Sequence, residues 1–318
     1  MEKFTLYLAS TSMSEKEARL LKIKNCLFSY FYKEGILRWV EYCERGVVKT
    51  SKKVMLDSGA FSAWSKGVEI DLDEYIEFAR VMRERFRRLK VKFFIVNLDV
   101  IPGRKGETSS LNRSFNQRLI DAAAERGYKN MLKMIECGVV PIHVFHQGES
   151  FVWLDRMLEY TDYIGISPAN DLPATQRRLW IDSVFNYLVK NGVKVKTHGF
   201  AVTSFSVMRD YPWTSCDSST WKVFAAMGGI FYPVGGFREA DYSKKPLAIC
   251  VGRKRNLSPD EEKRLKAMLE ADGYVWEEVV EDGDVRAAIN ARCFMEFEEY
   301  VNRLRMKSSF RLRRGIFK

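Results

Sequence analysis

The stretch Met55-Leu56-Asp57-Ser58-Gly59-Ala60-Phe61-Ser62 decides the fold, because an apolar run ends there in a carboxylate and a turn. Ser58 and Gly59 follow Asp57 at once, so the carboxylate lies at the mouth of a buried strand. The same pattern recurs along the chain. Further apolar runs end at or beside polar or small residues, namely Asp99, Gln147, Gly165, His198-Gly199 and Asp217. A parallel α/β barrel collects its active site in this way, with one group from each strand end.

Strand and helix patterns alternate between these positions. For example, the apolar run Val91 to Leu98 is followed by a helical segment from Ser114 to Arg126. Ser14 and Glu17 form a capping box that predicts a helix running toward Tyr30. Near-continuous apolar strands that alternate with helices are typical of a parallel sheet covered on both sides. We therefore predict an α/β fold, a TIM-type (β/α)8 barrel whose strands need not be regular.

The character of the chain changes after residue 240. A charged helix is predicted from Ser258-Pro259-Asp260-Glu261 onward, and a second over Asp284 to Arg305. We expect a catalytic barrel domain over residues 1–240, which includes an N-terminal strand and helix. Residues 241–318 are expected to form a C-terminal helical subdomain with a basic tail.

Composition narrows the classes of protein to which the chain can belong. The chain has 318 residues, 46% of them hydrophobic, a net charge of +11 and a pI near 9.3. No apolar run is long enough for a membrane span or a signal peptide, and the 6 cysteines form no C-x-x-C pair. We therefore expect a cytoplasmic protein, in the host cytoplasm if the chain is phage-encoded, without disulfides and with a polyanionic partner.

The basic charge concentrates in the C-terminal tail. From Arg303 to Lys318 the sequence contains no acidic residue. We expect the following tail residues to bind nucleic-acid phosphates: Arg303, Arg305, Lys307, Arg311, Arg313 and Arg314. A frayed, solvated terminus is the alternative.

Carboxylates at strand ends indicate glycosidic-bond chemistry. Such a bond needs a nucleophile at the anomeric carbon and an acid at the leaving group, and Asp57, Asp99 and Asp217 could share these roles with base recognition. As an alternative, each Asp could cap the helix that follows it.

The sequence offers no clear metal or nucleotide-cofactor site. His143 and His146 should point to opposite faces of one strand, so we expect no metal there. Cys216 and Asp217 should also lie on opposite faces, which favours a packing role for the cysteine. No GxGxxG or P-loop motif is present, and no cofactor is expected.

These residues resemble the tRNA-guanine transglycosylase superfamily. Asp57 to Ser62 resembles the family signature Asp-Ser-Gly-Gly-Phe-Gln, and Asp217 stands where the family nucleophile follows a short strand. The other matches occur in the family's order: Asp99, Gln147-Gly148, Ile164-Gly165 and Gly199. Together they extend from about Val54 to Trp221.

Two departures refine the resemblance. The family's zinc ligands, Cys-x-Cys-x-x-Cys and a later His, have no counterpart, because only Cys250 and Cys293 follow Asp217. The signature also carries Ala60 and Ser62 in place of Gly and Gln. Both features are similar to the zinc-free, phage-type branch, which inserts 7-deazaguanine derivatives into DNA.

The resemblance implies a base exchange through a covalent intermediate. Asp217 would attack C1′ of a deoxyguanosine, and Asp57 would act as acid and base. Asp99 and Gln147 would bind the guanine edge, and Phe61 and His198 would sandwich the ring. Backbone at Gly165 and Ile166 would contact the carbonyl region, and the remaining base-binding residues would be Ser58, Gly148 and Gly199.

The resemblance also implies the partners. We expect double-stranded DNA as acceptor and a free 7-deazaguanine base, 7-cyano-7-deazaguanine, as substrate. A zinc-less enzyme acting on tRNA and a catalytically silent nucleic-acid-binding barrel are the alternatives.

Overall fold

A parallel sheet curls into a barrel in the computed structural model, which describes residues 3–21, 23–48, 52–103, 116–252, 257–307 and 312. The 8 strands are β1 Thr5–Ala9, β2 Asn25–Ser29, β3 Lys53–Asp57, β4 Lys92–Ile95, β5 His143–His146, β6 Tyr163–Ser167, β7 Lys196–Gly199 and β8 Ser215–Ser218. Their order in the sheet is β4-β3-β2-β1-β8-β7-β6-β5. A parallel bridge between Val96 and Ile142 joins the two edge strands. The α/β barrel predicted from the sequence is therefore confirmed.

Helices connect the strands. They are α1 Glu15–Leu21, α2 Glu34–Glu44, α3 Ala60–Lys66, α4 Leu72–Arg88, α5 Gln117–Glu136, α6 Phe151–Leu158, α7 Ala174–Lys190, α8 Phe205–Asp210 and α9 Thr220–Ala226, with a 3-10 turn at Tyr30–Tyr32. The sequence of α4 shows why they form. Asp71 caps its N-terminus, and buried residues from Tyr75 to Phe86 recur at helical spacing and face the sheet.

The strand alternation places a polar layer at the carboxyl ends of the strands. Inward residues such as Met55 and Val144 fill the barrel with an apolar cluster. Outward residues such as Cys216 pack among the buried residues outside the barrel. Two residues further toward the carboxyl end of each strand, the inward side chains are polar. They are Asp57, His146, Ser167 and Asp217. The prediction that Cys216 and Asp217 lie on opposite faces is confirmed.

One predicted element was wrong. The helix that begins after Ser14 does not run toward Tyr30 but ends at Leu21, and β2 follows at Asn25–Ser29. The capping box is present, but the apolar run Cys26 to Phe28 pairs with strands on both sides, and these long-range pairs outweigh local helix preference.

The C-terminal segment packs against the barrel. It contains the antiparallel pair β9 Gly229–Tyr232 and β10 Leu247–Cys250, followed by α10 Pro259–Ala271, α11 Trp276–Glu281 and α12 Gly283–Arg305. The expected boundary near residue 240 thus lies between two paired strands. From α12, Glu298 accepts from the Leu6 N–H at 3.1 Å and Asn302 bonds both backbone groups of Phe4. No helix in the described ranges has the length and apolar character needed to span a bilayer.

Candidate active site

The turn after β3 presents the first carboxylate. Gly59 adopts a left-handed φ of 78°, and an added Cβ would lie 2.4 Å from the Ser29 side chain and 2.6 Å from Phe31. Only glycine fits this turn without strain. Its N–H donates to Oδ2 of Asp57 at 3.0 Å. The local sequence therefore fixes the carboxyl group at the barrel mouth.

Asp57 is a carboxyl group with a strongly raised pKa. Burial, and then the nearby carboxylates of Asp99 and Asp217, raise its pKa from 3.8 to about 7. Hydrogen bonds from the backbone of Gly59 and Ser58 act in the opposite direction. A carboxyl group with a pKa near 7 can both give and take a proton at neutral pH.

Asp99 belongs to a polar cluster above β4 and β5. Its Oδ1 accepts from the Ser58 hydroxyl at 3.0 Å, and its Oδ2 lies 2.9 Å from Nε2 of His146. Nδ1 of the same histidine lies 3.0 Å from Glu149, which also accepts the His146 N–H at 3.1 Å. Sequence reasoning missed His146 and Glu149, although their i, i+3 spacing around Gln147 was a usable signal.

The two histidines of β5 have opposite electrostatic environments. Burial alone would lower the pKa of His146, but Glu149 and Asp99 outweigh it and raise the pKa to about 10. Burial and the charge on His146 lower the pKa of His143 to about 3. His143 lies 2.7 Å from the Asn97 amide instead. The prediction that His143 and His146 point to opposite faces of one strand is confirmed.

Asp217 lies on the opposite side of the barrel mouth. Its Oδ1 accepts from the Ala201 N–H at 3.0 Å and lies 3.3 Å from Nε2 of His198. Ala201 has a left-handed φ of 50°, uncommon for a residue with a Cβ. This strained turn after β7 aims the N–H at the carboxylate.

His198 does not lie where a stacking residue would. Its side chain is fully buried, with the ring of Phe200 at 4.3 Å and that of Tyr7 at 5.9 Å. Phe61 is 56% exposed on α3 and lies against Trp64. The structure therefore does not pair Phe61 with His198 around a ligand space. Phe200, which sequence reasoning missed, is the partly exposed aromatic ring on this side.

The remaining predicted base-binding residues act through backbone or packing. The Gln147 side-chain carbonyl accepts from the Ala169 N–H at 3.0 Å, which leaves its NH2 group directed elsewhere. An added Cβ at Gly165 would lie 2.3 Å from the Phe200 ring, and one at Gly199 would meet Val202 at 2.8 Å. Ile166 is fully buried. Gly148 has a left-handed φ of 104° after β5.

The basic tail begins at the other end of the barrel. Arg305 donates to the backbone carbonyls of Trp213 and Tyr211, both at 2.8 Å, which precede β8. Arg303 and Lys307 lie in the same turn and are exposed. Arg311, Arg313 and Arg314 lie outside the described residues. The structure therefore does not bring the described tail residues together with the carboxylates.

A cavity of about 760 Å³ opens beside Asp99. Among the residues that line it are Trp64, Ile101, Arg126 and Asn130. Asp57 and Asp217 do not line this cavity. Within the described ranges, no group of three His, Cys, Asp or Glu side chains is placed to hold a metal ion.

Comparison with known proteins adds little to this picture. No protein-family model matches the chain, and no curated protein is similar enough to match. A solved structure of L-ribulose 3-epimerase is similar at 14% sequence identity and a TM-score of 0.34, over 98% of this chain and 99% of the other. The strand order and pairing define the fold.

Proposed function

We propose that this chain is an enzyme, a guanine transglycosylase that replaces guanine in DNA with a 7-deazaguanine base. The observation that carries the proposal is the barrel mouth, where three carboxylates have three different environments. Asp57 is half-buried with a pKa of about 7, Asp99 is bonded to His146, and Asp217 accepts a backbone N–H. Base exchange needs an acid–base group, a recognition group and a nucleophile.

In the first step, the Asp217 carboxylate attacks C1′ of the target nucleotide. Among the described residues, the N–H of Ala201 and the ring of His198 approach Oδ1, so Oδ2 is the free oxygen for attack. The C1′–N9 bond breaks as the new C1′–O bond forms, and Asp57 gives its proton to the leaving guanine. The products are a glycosyl ester on Asp217, a neutral guanine and an ionised Asp57.

In the second step, the incoming base reverses these changes. Asp57 takes the N9 proton of the 7-deazaguanine, N9 attacks C1′, and the ester bond to Asp217 breaks. Two displacements at C1′ retain its configuration. Since Asp57 is protonated in one step and ionised in the other, a pKa of about 7 suits both.

Asp99 and Gln147 would recognise the guanine edge. A carboxylate oxygen has two acceptor sites, so each oxygen of Asp99 retains one after its bond to Ser58 or His146. These sites suit the N1–H and 2-amino donors of guanine. The NH2 group of Gln147 suits O6, because its carbonyl already binds Ala169. Phe200 would supply the aromatic surface that the family resemblance assigned to His198.

The target base of the acceptor strand would enter the barrel mouth only after it is flipped out of the duplex. A basic and aromatic patch lies beside the Asp57 turn. It consists of Lys66, Phe31 and Tyr32. The Lys66 ammonium group lies 5.1 Å from the Phe31 ring and 5.0 Å from the Tyr32 ring. Aromatic rings and a cation next to each other suit unstacked bases and phosphate. The residues of this patch would hold the flanking nucleotides.

The test offers labelled guanine or 7-cyano-7-deazaguanine with duplex DNA and with tRNA in parallel, using wild type and Asp217→Asn. We expect incorporation into DNA and a denaturant-stable adduct on a guanine-containing oligonucleotide with wild type only. The Asn variant should bind DNA normally, since Asp217 lies at the mouth and not in the apolar core. Incorporation into tRNA alone would show that the acceptor is tRNA and not DNA. An active Asn variant would remove Asp217 from the mechanism.

A further inference from the structure

A chain of buried polar groups leads through the barrel to Asp217. The Tyr163 hydroxyl lies 2.5 Å from Oγ of Ser215, and the same Oγ lies 2.5 Å from Nδ1 of His198. The other ring nitrogen, Nε2, lies 3.3 Å from Oδ1 of Asp217. These groups come from β6, β7 and β8, and they link the barrel interior to its mouth.

Burial excludes a hydrolase triad, although the residue types are serine, histidine and aspartate. Ser215 is 1% exposed and His198 is 0% exposed, so no substrate can reach the hydroxyl. Nε2 of His198 is buried and makes no aligned hydrogen bond to any described residue, even though the Asp217 oxygen is the nearby acceptor. A buried nitrogen without an aligned hydrogen bond lowers the stability of the fold. This cost argues that the ring is kept there to bond a neighbouring group.

The donors and acceptors allow few arrangements. An ionised carboxylate only accepts hydrogen bonds. If Ser215 donates to Nδ1, the neutral ring carries its hydrogen on Nε2. If both ring nitrogens are protonated, Nδ1 donates to Ser215 and Nε2 again carries a hydrogen. Only the tautomer with hydrogen on Nδ1 alone would place two lone pairs against each other at 3.3 Å.

We propose that His198 is a positioning residue, whose Nε2–H holds Oδ1 of Asp217 so that Oδ2 faces C1′. The inference rests on the proposed function, in which Asp217 is the nucleophile. The Ala201 N–H fixes the same oxygen from the turn after β7. Hydrogen bonds in a resting site are often long, and this one would shorten when the carboxylate leaves C1′ and regains its charge.

The first test uses NMR of the protein labelled with ¹⁵N only at histidine. The chain contains just 3 histidines, and His143→Gln and His146→Gln variants assign them. We expect the His198 Nε2 signal to be that of a protonated nitrogen and to shift in Asp217→Asn. A hydrogen on Nδ1 alone, or no response to Asp217→Asn, would overturn the proposal. This readout does not depend on base exchange.

The second test separates positioning from structure by kinetics. His198→Phe keeps a flat aromatic ring, though a larger one, and removes the donor, so we expect kcat to fall about 10- to 100-fold, the loss of one hydrogen bond to a charged group. KM for the free base should stay within about twofold. His198→Gln carries an amide N–H donor and should recover part of the loss. Equal loss in both variants, or a change confined to KM, would contradict the role. If the wild type shows no base exchange, the proposed reaction is wrong. The NMR experiment alone then tests the contact between His198 and Asp217.

Discussion

At the scale of single residues, the environment of each carboxyl group decides what it can do. Asp57 is surrounded by other carboxylates and little water, whereas Asp99 lies against the cationic ring of His146. Asp217 accepts from a backbone N–H. Three identical side chains therefore differ in their neighbours and in their free acceptor sites, which is how carboxylates in one site acquire separate roles.

Asp57 should destabilise the fold at high pH. Because its pKa is raised from 3.8 to about 7, the folded state keeps a proton that the unfolded chain has lost, so stability falls as pH rises through that interval. A shift of about three pKa units corresponds to about 4 kcal/mol. The side chain is partly exposed, so we expect Asp57→Asn to gain about 1–2 kcal/mol at pH 8 and nothing below the unfolded pKa.

Urea unfolding at pH 3.5 and pH 8 measures this difference. The same variant should lose base exchange, because an amide cannot transfer the proton. A variant less stable than wild type at pH 8 would show that the burial of Asp57 is compensated elsewhere.

At the scale of elements, the turn between β3 and α3 holds the site together. Gly59→Ala would force a Cβ to within 2.4 Å of Ser29 and 2.9 Å of the Phe31 backbone, at a φ of 78°. We expect a loss of about 2–3 kcal/mol in stability and a large loss of exchange, since the turn carries Asp57 and Ser58.

Gly67 provides the matched control at the other end of α3. It has a similar φ of 68°, but an added Cβ meets nothing within 4 Å. Gly67→Ala should therefore cost about 1 kcal/mol from backbone strain and keep exchange. Thermal melts and exchange rates of both variants distinguish the two cases. Equal effects would mean that strain alone, and not the contact with β2, limits the turn.

At the scale of the whole molecule, the net positive charge should govern the proposed binding to nucleic acid. With a net charge of +11, contacts to about six phosphates predict a log–log salt slope near −5 on duplex DNA. Lys66→Glu should lower the magnitude of that slope by about 1, whereas Lys263→Glu on α10 should leave it unchanged. Deleting residues 310–318 should also flatten the slope and leave binding of the free base intact.

Fluorescence anisotropy with a labelled duplex at several salt concentrations checks both changes. An unchanged slope in Lys66→Glu would place the acceptor strand away from the aromatic patch. An unchanged slope in the deletion variant would leave the tail without a role in binding. The two variants change separate parts of the chain: the deleted segment follows Arg305, which binds carbonyl groups just before β8, whereas the patch lies just after β2 and β3.

The sequence by itself determined the fold class and the strand-end carboxylates. Apolar runs that end in Asp-Ser-Gly or a similar turn are local signals, because strand burial and turn geometry depend on a few adjacent residues. The alternation of side chains along a strand is equally local, and it correctly separated Cys216 from Asp217 and His143 from His146.

Only the tertiary structure decided which groups meet. Strand β2 was missed because its pairing with β1 and β3 overrode the local helix signal. The contact of Asp99 with His146 and the burial of His198 beneath Phe200 join residues on different strands. Arg305 looked like part of a free basic tail, yet α12 directs it to carbonyl groups below β8. Hydrogen bonds and burial depend on neighbours distant in sequence, so no local pattern encodes them.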